Sequence, residues 1–386
     1  MVPRMRRGWP WIALGLLLLA ACSSAGESRV TDTPEEQLIP RTFQPKPDEI
    51  KATPQPAPDE LAVTPQLVPS LGPCSENGSD WDEQDAWRFG VGLAEAIDVD
   101  RWGPELGASW YLDWTVRDRA GEQLPIHWQM IRLSEDGYWP GLGSILKTAR
   151  DHPGDKWIIG NEPDVIWQDN TTPERVAEIY WELYHAIKEV DATAKVGVGA
   201  VGMVSPLRIA YLERMLGEYQ SSFGEPLPAD FWTVHVYVLR EERDSWGVEI
   251  PPGFTENEGQ LWEVADHDRI DIFDAQIRSF RTWMEANGYR DLPLVLTEFG
   301  ILMPEDYGFP LERVRAYMLG TLDSLLTMRD EKTGYPQDDN RLVQQWAWFS
   351  LVYSEYSNSD LVDPPSDTLT PLGDTYRTCI QKVSGN

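Results

Sequence analysis

From Trp87 onward the chain alternates short apolar runs with longer stretches whose apolar residues recur every three or four positions. The short runs, at residues 89–92, 108–112, 126–131, 157–160, 196–198, 231–237, 294–298 and 345–350, are rich in Val, Ile, Leu and aromatics and predict buried strands. The amphipathic stretches at 143–151, 173–190, 206–223, 269–287, 311–329 and 371–383 predict helices. Thr172-Pro173-Glu174 places a hydroxyl at an N-cap and Pro at the first helical position, a favourable helix start. Helices after the first two strands are poorly marked. Residues 240–268, acidic and broken by Pro and Gly, read as a long insertion after the sixth strand. Strands alternating with helices over residues 87–383 predict a (β/α)8 barrel or a doubly wound sheet. No GxGxxG follows the first strand, and neither GxxxxGK[ST] nor GxSxG occurs, so the α/β fold expected is the (β/α)8 TIM barrel.

The chain before this pattern is of a different kind. Arg4, Arg6 and Arg7 precede an apolar run at 11–19, and Ala20 and Ala21 lead into Cys22. This is a charged n-region, a short h-region and a small-residue cleavage site, too short for a comfortable membrane span. Leu19-Ala20-Ala21-Cys22 resembles a bacterial lipobox, in which Cys22 becomes the lipid-modified first residue of the mature chain. Residues 1–21 are therefore expected to be a lipoprotein signal peptide, with an ordinary secretory signal cut nearby as the alternative. Either implies export, and the first implies a lipid anchor at the cell surface or periplasmic face as the chain's sole membrane attachment. Across residues 22–73, prolines at 34, 40, 45, 47, 54, 56, 58, 65 and 69 lie among Thr, Gln, Glu and Ala with no strand or helix period. Such a stretch buries too little apolar surface to offset its ordering entropy, and a disordered Pro-rich linker reaching up to roughly 150 Å is expected. Cys74 and Cys379 then bracket the globular part, residues 74–386. With Cys22 lipidated they are an even pair in an oxidising compartment, and a disulfide between them is expected over two buried thiols.

Lys and Arg total 33 against 63 Asp and Glu, a net charge of −30. A surface that acidic repels phosphate backbones and anionic lipid, which argues against a nucleic-acid partner and against electrostatic docking on membranes. Five His and three Cys, with no CxxC or HExxH, point away from a metal, and no cofactor is expected. Eighteen Trp exceed what a core of this size needs, which points to aromatic surfaces inside a binding cleft. A monomer is expected.

In a barrel the chemistry lies at the C-terminal ends of strands. The fourth strand ends in Asn161-Glu162-Pro163-Asp164, and the seventh ends in Thr297-Glu298-Phe299-Gly300. Two carboxylates facing each other across a barrel mouth suit glycoside hydrolysis, in which one protonates the leaving oxygen and the other attacks the anomeric carbon or activates water. The sixth strand ends His235-Val236-Tyr237, two polar rings at period two, and the eighth carries Trp346 and Trp348, again at period two.

Asn-Glu-Pro after the fourth strand, His-x-Tyr after the sixth, Thr-Glu-Phe-Gly after the seventh and a Trp on the eighth resemble clan A of the glycoside hydrolases. Within it the chain is similar to the Asl-like glycosyl hydrolase catalytic domain, glycoside hydrolase family 128. The similarity rests on residues 109–114, 160–164, 230–237 and 293–299, and on a final helix opening at 369–376. The resemblance covers residues 87–383 and implies a retaining double displacement. Glu162 would be the acid/base and Glu298 the nucleophile, with Asn161 bonding the sugar 2-hydroxyl. Tyr237 would hydrogen-bond the nucleophile, His235 would line the subsite nearby, and Trp348 rather than Trp346 would stack beneath the reacting sugar. Trp110, Trp114, Trp128 and Trp139 could extend that aromatic surface. One departure stands out: many clan A enzymes place an Arg near the end of the second strand to brace the nucleophile. Here that position offers Asp113, with Arg117 and Arg132 the nearest candidates. The substrate implied is a polysaccharide or oligosaccharide, first β-1,3-glucan, with β-xylosides and β-mannans as relatives' substrates. Endo action is expected. The rival readings are a carbohydrate-binding or scaffold lipoprotein on an inactive barrel and, further off, a metal-dependent hydrolase.

Overall fold

In the computed structural model, which describes Cys74, residues 85–119 and residues 124–384, every one of the eight apolar runs forms a strand. The signal peptide, Cys22 and the linker lie outside the described residues. Among the described residues no helix is long and apolar enough to cross a membrane.

The sheet contains β1 (Phe89–Gly92), β2 (Trp110–Leu112), β3 (Ile126–His127), β4 (Gln129–Ser134), β5 (Gly137–Trp139), β6 (Lys156–Ile159), β7 (Lys195–Val198), β8 (Phe231–His235), β9 (Leu294–Phe299) and β10 (Gln345–Trp348). Their order is β3-β2-β1-β10-β9-β8-β7-β6-β4-β5, parallel throughout except for the β4–β5 hairpin. Only Trp128 separates β3 from β4, so the strand that pairs with β2 at one edge continues as the strand that pairs with β6 at the other. The Trp128 amide donates to the Tyr111 carbonyl at 3.0 Å and keeps the two halves continuous. The sheet closes on itself, which leaves no open edge in the barrel wall.

The helices are α1 (Val99–Leu106), α2 (Leu142–Asp151), α3 (Pro173–Val190), α4 (Pro206–Phe223), α5 (Ile270–Ala286), α6 (Leu311–Thr327) and α7 (Pro371–Val383). The weakly marked helix after the first strand is α1, capped by the Asp98 side chain; among the described residues no helix follows the second strand. Pro173 opens α3 as expected, but the Thr172 hydroxyl makes no capping bond. Ser205 and Thr370 do cap α4 and α7.

The tryptophan surplus is spent chiefly on packing rather than on a cleft. Trp110 and Trp128 stack inside the barrel with centroids 4.2 Å apart, and Trp128 meets the Phe231 ring edge-on at 5.6 Å. Two glycines make room for these rings: a Cβ on Gly90 would lie 2.3 Å from Trp110, and one on Gly197 2.3 Å from Phe231. On the outer face Trp346 meets Phe89, which in turn meets Tyr376 of α7, while Trp232 packs on Trp283 of α5. Trp110, Trp114, Trp128, Trp157, Trp232, Trp346 and Trp348 are all fully buried.

The expected disulfide joins Cys74 to Cys379 on α7, and the Cys74 amide donates to Asp323 of α6 at 2.9 Å. The bridge spans 305 residues of sequence. Closing so long a loop limits the unfolded chain, and Cys379→Ala should lower the unfolding free energy by about 2–5 kcal/mol. Denaturant midpoints check this, and a reductant should destabilise the native protein while leaving the variant unchanged.

Candidate active site

The turn after β6 is built under constraint. Gly160 has φ +97° and Glu162 has φ +46°, a left-handed conformation that costs a non-glycine residue about 1–2 kcal/mol. Neighbouring backbone fixes it: the Gly160 amide donates to Ile131, the Glu162 amide to Ala200 at 2.8 Å, and the Val165 amide back to the Glu162 carbonyl at 3.0 Å. The run Gly197-Val198-Gly199-Ala200-Val201-Gly202 has the spacing of a dinucleotide-binding loop, yet its glycines serve this crossing. A Cβ on Gly199 would lie 2.3 Å from the Gly160 carbonyl oxygen, and one on Gly202 2.9 Å from Val165 and 3.2 Å from a Glu162 oxygen. Beneath the turn, fully buried Asp164 forms an ion pair at 2.7 Å with buried Arg208, which also pairs with Glu241 and donates to the Val248 carbonyl. The long insertion is thereby tied to the turn. Burial lifts the Asp164 carboxyl to about 6 despite Arg208, with the Glu162 charge adding to the rise.

Strand β9 delivers the second carboxylate through a bulge. Its register with β10 runs Trp346 to Leu296 and then Trp348 to Phe299, one residue too many on β9. The extra residue turns both Thr297 and Glu298 inward, as bulges beside active sites do. Thr297 Oγ1 lies 3.1 Å and Glu298 Oε1 3.5 Å from His235 Nε2. The other ring nitrogen, Nδ1, lies 2.7 Å from Glu162 Oε1. His235 thus sits fully buried between the two glutamates instead of lining an open subsite. Burial alone would lower its pKa, but the charge of Glu298 and the bond to Glu162 outweigh that, and the net shift is upward. Glu298 accepts hydrogen bonds from Trp114 Nε1 at 2.6 Å and from the Tyr237 hydroxyl at 3.3 Å. Burial raises the Glu298 carboxyl to about 7; His235 and the two donors oppose the rise, and the Glu162 charge adds to it. Tyr237 is held far above the usual phenol range by burial and by both carboxylates, so it stays a donor. The Asn161 side-chain oxygen is buried with no hydrogen-bond partner beside this cluster.

Glu162, His235 and Glu298 each offer a ligand atom, and these atoms lie within 4.8 Å of one another. That set could hold an ion. Yet both His235 nitrogens and both Glu298 oxygens already serve protein hydrogen bonds or ion pairs.

The structure thus brings Asn161, Glu162, His235, Tyr237 and Glu298 together and leaves Trp348 out. Trp348 donates through Nε1 to the Ser359 carbonyl and packs on Phe299 and on Tyr317 of α6, so it faces the helix layer and offers no surface to a sugar. Trp346 faces the same way. Phe349, one residue on, is the aromatic that packs edge-on against Trp114 at 5.6 Å. Neither candidate Arg reaches Glu298: Arg117 pairs with Asp113, which also binds His127, and Arg132 pairs with Asp169. The bracing position is taken by Trp114, just past β2, which has a left-handed φ of +56°.

By sequence the chain matches no family model and no curated protein. By fold it is similar to solved structures of glycoside hydrolase family 128. One is a subgroup II endo-β-1,3-glucanase from Sorangium cellulosum, with 15% identity, TM-score 0.51, and 75% of this chain and 97% of that one covered. Another is a subgroup II endo-β-1,3-glucanase from Pseudomonas viridiflava, with 19% identity, TM-score 0.52, and coverage of 75% and 96%. A third is a curdlan-specific exo-β-1,3-glucanase from Blastomyces gilchristii, with 18% identity, TM-score 0.50, and coverage of 76% and 98%. The chain has the barrel fold of these enzymes.

Between its ordinary value of 4.5 and about 7, Glu298 holds a proton when folded that the unfolded chain has released. Stability therefore falls as pH rises across that window and levels off above it. His235, also raised, contributes with the same sign. Glu298→Gln removes the effect, so its melting temperature should gain on the native protein from pH 4.5 to 7, by an order of 5 °C. A constant gap across that range would contradict the burial argument.

Proposed function

We propose that the protein is a retaining β-glycoside hydrolase acting on β-1,3-glucan, exported and held to a membrane by a lipid on Cys22. The observation that carries the reaction is the glutamate pair at the ends of β6 and β9, with oxygens within 4.8 Å of each other and His235 between them. Retaining enzymes keep their carboxyl groups about 5–5.5 Å apart, whereas inverting ones leave roughly 6.5–9.5 Å for a water. The spacing favours retention. In the first step ionised Glu298 attacks the anomeric carbon while Glu162 gives its proton to the departing oxygen. In the second, Glu162 takes a proton from the water that attacks the glycosyl ester on Glu298. Trp114 and Tyr237 stabilise Glu298 when it is ionised, and Asn161, whose side-chain oxygen is buried without a partner, would bond the sugar 2-hydroxyl.

The choice of β-1,3-glucan rests on the family resemblance together with the glucanases whose fold this chain shares. An inactive scaffold would have no need of a bulge that turns Glu298 inward or of two donors aimed at its carboxylate.

Reducing-sugar release by the purified protein from β-1,3-glucan, xylan and mannan tests the assignment. Activity on the glucan is expected, unchanged by a chelator, and Glu298→Ala should lower it by about 10³-fold or more. Proton NMR of the first product should show retained β configuration; an α product would sink the mechanism, and activity on mannan alone the substrate. Trp114→Phe removes a donor to ionised Glu298, so it should raise that group's pKa. The acidic limb of the pH–rate profile should then move to higher pH, with kcat down about 10–100-fold.

A further inference from the structure

We propose that Trp139 and Trp167 form an aromatic platform for the leaving-group side of the substrate, binding glucosyl units beyond the bond that is cut; this rests on the glycosidase reading above. Both are large and exposed, at 36% and 45% of their surface, whereas Trp110, Trp114 and Trp128 lie buried in the barrel.

Asp169 joins the two segments that carry them. Its carboxylate accepts from the Arg132 guanidinium at 2.5 Å and the Leu133 amide at 2.9 Å on β4, and from the Asn161 amide at 2.7 Å on the turn of Glu162. The β4–β5 hairpin is therefore pinned against the turn. Trp128 points into the barrel, where it stacks on Trp110, and counting by two along β4 puts Arg132 on that same inner side at the mouth. Trp139 is the antiparallel partner of Arg132 and shares its face, while Tyr138 points the other way and bonds Glu182 of α3 at 2.7 Å. Arg132 also donates to Gln168 at 3.0 Å, next to Trp167. Residues 162–168 are folded tightly, with the Val165 amide bonded to Glu162 and the Gln168 amide to Val165. Trp139 and Trp167 thus flank one polar bridge, Arg132–Gln168, on the Glu162 side of the mouth.

The chemistry selects the occupant. An acid that protonates the leaving oxygen has the leaving sugar beside it, and Trp167 sits on the turn that carries the acid. An indole face matches the C–H face of a β-linked glucose, and the guanidinium and amide between the two rings suit its hydroxyls. Units held on both sides of the cut bond favour internal cleavage of the chain.

The test compares the native protein with Trp139→Ala, Trp167→Ala and the double variant on two substrates. One is a β-1,3-linked hexasaccharide; the other is an aryl β-glycoside whose nitrophenol leaving group needs no sugar on that side. The ratio of kcat/KM on the hexasaccharide to that on the aryl glycoside should fall about 10-fold or more in the double variant, chiefly through KM. Trp167→Phe should recover part of the loss. Equal losses on both substrates, or an unchanged ratio, would overturn the platform while leaving the glycosidase reading intact. Hexasaccharide binding to the Glu298→Gln protein, read by calorimetry, decides the matter independently of turnover. Weaker binding when Trp139 and Trp167 are also replaced supports the platform, and unaltered or absent binding rejects it.

Discussion

Everything at the barrel mouth depends on one buried imidazole held between two carboxylates. His235 touches Glu162 with one nitrogen and stands 3.5 Å from Glu298 with the other, with no exposed surface of its own. Two carboxylates this close in a dry site repel each other, and burial already drives Glu298 towards its neutral form. The ring relieves both effects, since its protonated form is favoured by the charges that flank it. The ring thereby links the two carboxylates into one buried cluster. Trp114 and Tyr237 then break the symmetry by donating to Glu298, which marks it as the carboxylate stabilised as an anion.

Holding that unit takes two different constructions. Glu298 is fixed by the sheet, because the bulge in β9 lies between two paired strands and cannot relax without breaking both ladders. Glu162 is fixed by a turn in a costly backbone conformation, which persists because three neighbours over-determine it. The glycines at 199 and 202 let β7 cross close behind, the Asp164–Arg208–Glu241 network grips it from below, and Asp169 ties it to the β4–β5 hairpin. A buried ion network of this kind adds little net stability, since desolvation consumes most of its attraction. What it secures is position.

The eight strands and both glutamates were legible because they depend on local pattern: an apolar run supplies the strand, and a carboxylate just past its end faces the mouth. The faces of the tryptophans were not. A parallel strand in a barrel is buried on both sides, so Trp346 and Trp348 show no apolar–polar alternation to say which side is inward. A single extra residue in β9 shifts every later position by one face, and a bulge leaves no compositional trace at Thr297-Glu298. Trp114 was named only as one of several cleft aromatics, because no sequence pattern says which indole N–H reaches the Glu298 carboxylate. The missing Arg after the second strand was the available clue that some other donor must brace Glu298. The GxGxxG spacing at 197–202 was a further clue, since three glycines beside the fourth strand mean that something passes close by.

The same contrast explains why the two halves of the mouth need not tolerate change equally. A nucleophile has one position in both steps of a double displacement, and a rigid bulge suits it. In the proposed mechanism the acid/base partner would serve a departing sugar in one step and an incoming water in the next, so the segment carrying it would also be where the leaving chain is gripped and let go. Here that segment is a turn, and the turn, the hairpin and their exposed indoles are linked through a single carboxylate, Asp169. On the proposed reading, changes in what the barrel accepts on the leaving side could accumulate on the turn and hairpin without disturbing the Trp114–Glu298–Tyr237 arrangement, which rests on other strands.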